Sequence, residues 1–217
     1  MKQLNLFRLQ LKYLSFTKDP TNTEKIFEMI ELAQKLPSDI DQIEYFEEKF
    51  LADPLLKKCW KKKYLPDIEV RNPENYKEYP QGTLGANYYK HMTKYNLDYK
   101  LFPKVEIKRP MDYINQRVYW VHDIWHALLG YGADPRGEIE LQAFTMAQMQ
   151  SPFNVLLICG GLINLVKTDP RSVSETFGKM VDAYQRGKTL PKLIGVRLEK
   201  KMDLSIDDIF NSLKYES

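Results

Sequence analysis

The sequence predicts an all-α protein, a single-domain bundle of about eight helices over residues 1–217. Leucine outnumbers valine by 26 to 9, and the chain has only 10 glycines. Straight-chain helix formers therefore outweigh the β-branched residues that sheets favour. Apolar residues recur at helical spacing between prolines and capping residues. A chain of this length lies near the upper end of one domain and should bury about 70% of its unfolded surface.

Capping residues and prolines predict where the helices of the first half begin and end, because an N-cap side chain accepts from free amides and proline cannot continue a helix. Three prolines among polar residues make 64–81 an irregular connector rather than a domain boundary. The expected helices run from the capping box of Thr21 and Glu24 to Pro37, from a cap at Asp39, from Pro54 to about Lys63, and from Leu84 to Asn96.

The second half holds the most apolar segment, Pro152 to Val166. It has 15 residues, fewer than the ~18 that a membrane-spanning helix needs, so a buried helix is expected. The other expected helices run from Met111 to Leu129, from Glu138 to the residue before Pro152, from Asp169-Pro170 to near Gly187, and after Ser205.

Composition and charge exclude several classes of protein. At 43% hydrophobic and 28% charged residues the chain is ordinary and globular. Cys59 and Cys159 stand 100 residues apart, which gives no disulfide framework and favours a reducing compartment. A net charge of +3 is too small to indicate a nucleic-acid partner. The first residues lack the apolar core and cleavage site of a secretory signal, so we expect a protein that is not secreted.

The segment His122-Asp123-Ile124-Trp125-His126 is the sharpest chemical feature of the sequence. Residues four apart lie one turn apart on the same helix face, so both imidazoles can converge on one ion. A pair of structural or surface histidines is the simpler alternative. The chain has only three histidines, however, and two of them fall in this pentapeptide. The third, His91, is more easily explained as a structural histidine than as a pocket residue.

Glu138 follows His126 after eleven residues, beyond a turn rich in glycine that could fold the chain back. Two histidines with one or two carboxylates form a ligand set that suits Zn²⁺ and also Mn²⁺ or Fe²⁺. Asp123 could complete this set, act as a base on bound water, or orient an imidazole from behind it. Glu140 lies on roughly the opposite face of its helix and is interpreted as a surface charge.

The pattern HDxxH-x11-E, from His122 to Glu138, resembles the signature of the coenzyme Q (ubiquinone) biosynthesis protein four family, and the resemblance covers about residues 20 to 215. Other matching elements are Gly82-Thr83-Leu84-Gly85 with Tyr88, Tyr113 with Arg117, and Gly137-Glu138-Ile139. The resemblance implies an all-helical fold and a divalent metal held by His122, Asp123, His126 and Glu138. Zinc is the expected ion, with magnesium, manganese or iron as alternatives.

The resemblance also implies partners and a location. These are a membrane surface, a second copy of the chain in a homodimer, other quinone-biosynthesis enzymes, and a prenylated quinone precursor or isoprenoid lipid. The location would be the cytoplasmic membrane face in a bacterium or the mitochondrial inner membrane in a eukaryote. The activity it implies is oxidative decarboxylation of a prenylated hydroxybenzoate at ring carbon one.

For such a reaction Tyr119, one turn before His122, could supply a proton. A prenyl tail would need an apolar pocket, for which the candidate residues are Tyr88, Phe144, Met146, Met149, Phe153, Leu156 and Leu157. Helical core packing explains most of the same residues. Two alternatives remain open: a lipid-binding scaffold with a structural metal, and a metal-dependent hydrolase that uses Asp123 as its base.

Overall fold

A computed structural model describes residues 11–20, 22, 24–29, 40–102 and 104–214, and for residues 40–43 and 152 it describes the backbone alone. Over that part of the chain the structure is helical, and its one extended pairing is an isolated bridge between Thr83 and Ser205. The all-α prediction is confirmed. The prediction of one domain over 1–217 stays a prediction.

Ten α-helices and five short 3-10 turns form the described structure. Helical residues 11–16 and 24–29 belong to α1 and α2. The other helices are α3 (Ile40–Ala52), α4 (Pro54–Lys62), α5 (Leu84–Lys94), α6 (Pro110–Leu129), α7 (Pro135–Met149), α8 (Pro152–Thr168), α9 (Val173–Thr189) and α10 (Ile206–Leu213). The 3-10 turns are Ile68–Arg71, Pro73–Tyr76, Pro170–Ser172, Leu193–Gly195 and Leu198–Lys200.

Helix starts follow capping chemistry closely. Asp53 accepts amide hydrogen bonds at the start of α4, and Thr83 does so at the start of α5. Helix α7 begins three residues earlier than predicted, at Pro135, because Asp134 caps it by accepting from two backbone amides. The helix at 11–16 was not predicted at all. The predicted caps at Thr21 and Asp39 and the break at Pro37 lie outside the described residues.

Contacts divide the chain into two compact units. Unit 1 contains residues up to Glu44 and Ala133–Thr189, and its helices α7, α8 and α9 pack through small residues. Gly187 of α9 lies against the backbone of Phe144, and Gly161 of α8 lies against Ile139. Phe16 of α1 packs on Gly160 of α8, where any side chain would collide with its ring.

Unit 2 contains Tyr45–Gly132 and residues from Leu190 onwards, with α5 packed along α6. Arg117 of α6 is 1% exposed and joins this helix to the C-terminal segment. Its guanidinium donates to the backbone carbonyls of Ile194 and Val196 and to Glu199 at 2.9 Å. These contacts anchor α6 at a point just before its two candidate histidines.

Helix α8 differs from its prediction as a buried helix. Leu157, Ile158 and Leu165 are buried, but four other apolar side chains of this helix are exposed: Val155, Leu156, Ile163 and Val166. In the part of the chain that the structure describes, no helix is long and apolar enough to cross a membrane.

Candidate metal centre

His122 and His126 lie one turn apart on α6, as their spacing predicts. Their ring centres are 4.9 Å apart, and each ring offers a nitrogen within 4.8 Å of the other's. Two ligands on a tetrahedral ion with bonds of about 2.1 Å stand about 3.4 Å apart, so small side-chain rotations would let both bind one ion. The donor set and its geometry therefore fit a divalent transition metal.

The turn after α6 sets the orientation of the His126 ring. Gly130 ends the helix with φ of 80°, a left-handed conformation that glycine adopts without strain. The chain then turns so that the carbonyl oxygen of Tyr131 lies 3.2 Å from His126 Nδ1. An imidazole that donates from Nδ1 to a carbonyl presents the lone pair of Nε2, which is the usual arrangement of a metal-binding histidine.

His91 also belongs to this cluster. Its ring stacks on that of His126, with centres 4.9 Å apart and planes inclined by 17°. His91 is buried on α5 and also contacts the ring of Tyr95. All three histidines of the chain therefore meet in unit 2, with His91 packed behind a candidate ligand.

Asp123 points towards a buried cation. Its Oδ2 lies 3.5 Å from Nη2 of Arg71, and the two side chains are 10% and 2% exposed. The guanidinium carbon of Arg71 lies 5.4 Å from the ring centre of Phe102 and 5.5 Å from that of Trp120. This ion pair was not among the three roles predicted for Asp123, which stay predictions.

Tyr119 lies on α6 one turn before His122, and its ring stacks on Phe102 with centres 5.5 Å apart. Phe102 also meets the ring of His122 at 5.7 Å. Burial raises the pKa of the Tyr119 phenol above its ordinary value. Tyr119 is therefore protonated at neutral pH and chemically able to donate a proton.

Glu138 belongs to unit 1, in the first turn of α7. It is partly buried and lies at a small cavity of that unit. The other lining residues are Phe16, Pro20, Ile26, Pro135, Ile139, Gln142, Leu157 and Gly161. Apart from Glu138 and Gln142, the residues that line this cavity are apolar.

Most residues predicted to line a prenyl pocket lie on α7 and α8 of unit 1. Leu157 lines the cavity of unit 1, and Phe153 packs on the cluster formed by Phe16, Met29 and Leu157. Phe144 is fully buried between α7 and α9, whereas Leu156 is exposed. Met146 and Met149, also on α7, are partly buried.

Tyr88 belongs to unit 2 instead. Its hydroxyl donates to the backbone carbonyl of Arg71, and burial raises its pKa. It therefore supports the Arg71 turn.

Arg71 and Phe102 were not predicted as site residues. Both come from irregular segments, where side-chain direction does not follow from helical spacing. One signal was present for Arg71: it is an isolated arginine in a proline-rich connector. Nothing in the local sequence of Phe102 distinguishes it from a core phenylalanine.

Comparisons with known proteins agree with the sequence pattern. A family model described as "Coenzyme Q (ubiquinone) biosynthesis protein Coq4" matches residues 13–217. A rat protein named "Ubiquinone biosynthesis protein COQ4 homolog, mitochondrial" is 26% identical over 127 residues, which are 57% of this chain and 47% of the rat protein. A Candida dubliniensis protein named "Ubiquinone biosynthesis protein COQ4, mitochondrial" is 23% identical over 168 residues, covering 76% and 51%.

The chain thus spans about half the length of the curated relatives it matches. A crystal structure from Nostoc punctiforme, of a protein whose name refers to ubiquinone biosynthesis, superposes with a TM-score of 0.77 at 22% identity. It covers 96% of this chain and 97% of its own. At that identity the likeness establishes a shared fold.

Proposed function

Because the chain belongs to the coenzyme Q (ubiquinone) biosynthesis protein Coq4 family, we propose that it is a peripheral-membrane, metal-binding protein of ubiquinone or another prenylquinone's biosynthesis. The observation that supports the metal site is the histidine pair of α6, with ring centres 4.9 Å apart and the His126 ring oriented by Tyr131. The family match confirms the resemblance found in the sequence.

In this proposal His122 and His126 supply nitrogen ligands and Glu138 supplies a carboxylate. Asp123 is the fourth proposed ligand, and its carboxylate also pairs with the buried Arg71. Zinc is the ion we expect, since two imidazoles with a carboxylate form a common zinc ligand set. When bound, the ion would supply a Lewis acid that stabilises the negative charge developing as a carbon–carbon bond breaks.

The reaction we propose is oxidative decarboxylation of a prenylated hydroxybenzoate. The bond between ring carbon one and the carboxyl carbon breaks, carbon dioxide leaves, and a hydroxyl group takes its place on the ring. Water supplies the oxygen of this hydroxyl group, and the replacement removes two electrons, which dioxygen would accept to become hydrogen peroxide. Tyr119 would donate a proton to the reduced dioxygen, since burial keeps its phenol protonated.

The prenyl tail and the membrane would be met by unit 1. Its exposed large apolar side chains lie on helices that contact one another, α1 with α8 and α8 with α9. They are Leu11, Leu14, Val155, Leu156, Ile163, Val166, Phe177 and Val181. Eight exposed apolar side chains on neighbouring helices are typical of a surface that meets a membrane or a partner. For a eukaryotic chain we propose the mitochondrial inner membrane, and the relatives named mitochondrial support the mitochondrion. For a bacterial chain we propose the cytoplasmic membrane face.

The test is turnover of a short-chain prenylated hydroxybenzoate by purified protein on phospholipid vesicles, under air and with zinc, manganese or iron added. We expect release of carbon dioxide from the ring carboxyl and loss of this release with His126→Ala. Release at equal rates from wild type and His126→Ala would contradict the catalytic proposal.

The second candidate is a non-catalytic scaffold that binds isoprenoid lipid and gathers other quinone-biosynthesis enzymes as a homodimer. The exposed apolar side chains of unit 1 favour it. Metal binding and lipid binding without turnover of any prenylated hydroxybenzoate would select the scaffold. Hydrolysis of generic esters or peptides would instead support the alternative of a metal-dependent hydrolase.

A further inference from the structure

Arg71 is a buried cation with incomplete hydrogen bonding. Its side chain is 2% exposed, and Nη2 has no hydrogen-bond partner among the described residues. The 3.5 Å contact with Asp123 is longer than the roughly 2.8 Å of a charge-assisted hydrogen bond. A charged donor that is buried without such a hydrogen bond is energetically unfavourable. A folded protein that keeps one therefore calls for an explanation.

Phe102 occupies an unusual position for a phenylalanine. Its ring stacks on Tyr119, meets the edge of His122 and lies under the guanidinium of Arg71, at 5.4 to 5.7 Å from each. A neutral ring is thus held between a cation, a phenol and an imidazole. Phe102 comes from the irregular segment between α5 and α6, so helix packing does not place it there.

A planar ring that bears a carboxylate would suit these neighbours better than the phenyl group does. The stacking on Tyr119 would be kept, and a carboxylate could accept two hydrogen bonds from the guanidinium fork. Asp123 would remain the counter-charge that holds Arg71 in its place between the rings of Phe102 and Trp120.

We propose that Phe102 occupies the ring position of an aryl-carboxylate ligand and that Arg71 is the cation that binds the ligand's carboxylate. Ligand binding then displaces Phe102 from Tyr119. The physiological ligand of this subsite rests on the proposed function, which calls for a prenylated hydroxybenzoate. The subsite itself consists of residues of unit 2. Its cation is the guanidinium of Arg71, so the subsite does not depend on a bound metal ion.

The test measures binding of 4-hydroxybenzoate and of its neutral analogue 4-hydroxybenzamide by calorimetry, in chelator-treated protein. Phe102→Ala should bind the carboxylate at least tenfold more tightly than wild type, because the competing ring is gone. The same variant should prefer carboxylate over amide at least tenfold. Adding Arg71→Gln should abolish that preference, whereas Arg71→Lys should retain part of it.

Leu101→Ala is the matched control, since its exposed side chain precedes Phe102 and should change neither affinity. Equal affinity of Phe102→Ala for carboxylate and amide, or no binding of either, would overturn the proposal without any need for an Arg71 variant that folds. Because metal is absent from the assay, equal affinities would refute the subsite without bearing on the proposed metal site. Preference for the carboxylate would support the subsite even if the protein binds no metal.

Discussion

At the scale of single residues, the proposed chemistry depends on the protonation state of Tyr119. Burial raises the pKa of its phenol above the ordinary value of 10, so the proton-donating form persists through the neutral range and is lost only at higher pH. We expect Tyr119→Phe to retain bound metal and to reduce turnover about 10² to 10⁴-fold. Rate profiles against pH with both proteins check this, and unchanged turnover would remove Tyr119 from the mechanism.

Single residues also show where sequence reasoning succeeds. His122 and His126 could be predicted because helical periodicity alone places them on one face. Arg71 and Phe102 could not, since they reach α6 from irregular segments whose path depends on tertiary packing. The sequence favours a structural role for His91 over a pocket role, and its stacking on His126 depends on how α5 packs on α6.

At the scale of helices, two glycines of α9 provide a matched pair. A methyl group on Gly187 would lie 2.7 Å from the carbonyl oxygen of Phe144, which is backbone of α7 and cannot rotate away. Gly178 of the same helix has nothing within 4 Å. Denaturant unfolding should show Gly187→Ala destabilised by about 1–3 kcal/mol and Gly178→Ala stabilised by up to about 1 kcal/mol. Equal effects would mean that α7 and α9 do not pack this closely.

The attachment of α6 to the C-terminal segment gives a second prediction at this scale. The side chains of Arg117 and Glu199 are both 1% exposed and 2.9 Å apart, so removing Arg117 leaves the buried carboxylate of Glu199 with a longer, 3.4 Å contact to Arg197. Arg117→Met should lower the free energy of unfolding by about 3–5 kcal/mol, and Arg117→Met with Glu199→Leu should lower it less. Lys179→Met, which breaks the exposed pair with Glu175, is the control and should have little effect. A double variant no more stable than the single one would contradict this account.

At the scale of the whole molecule, composition and periodicity were enough for the all-α class. The exposure of α8 was not predictable, because a uniformly apolar segment carries no periodic signal of which face packs. Four of its apolar side chains are exposed. This surface, together with that of α1 and α9, underlies the expectation of peripheral membrane attachment.

Vesicle sedimentation tests that attachment. Wild type should bind phosphatidylcholine vesicles containing cardiolipin, and Val166→Asp combined with Phe177→Asp should release most of the bound fraction, since both side chains are more than half exposed. Tyr45→Asp removes a similarly exposed side chain from unit 2 and should bind like wild type. Undiminished binding by the double variant would place the membrane contact elsewhere.

The metal content of the protein decides whether His122 and His126 hold an ion. Elemental analysis of purified protein, incubated with zinc and then dialysed, should give about one ion per chain for wild type. His126→Ala and Glu138→Gln should lose it, while Glu140→Gln, two residues from Glu138, should keep it. No metal in the wild type, or equal metal in His126→Ala, would show that these histidines do not hold an ion.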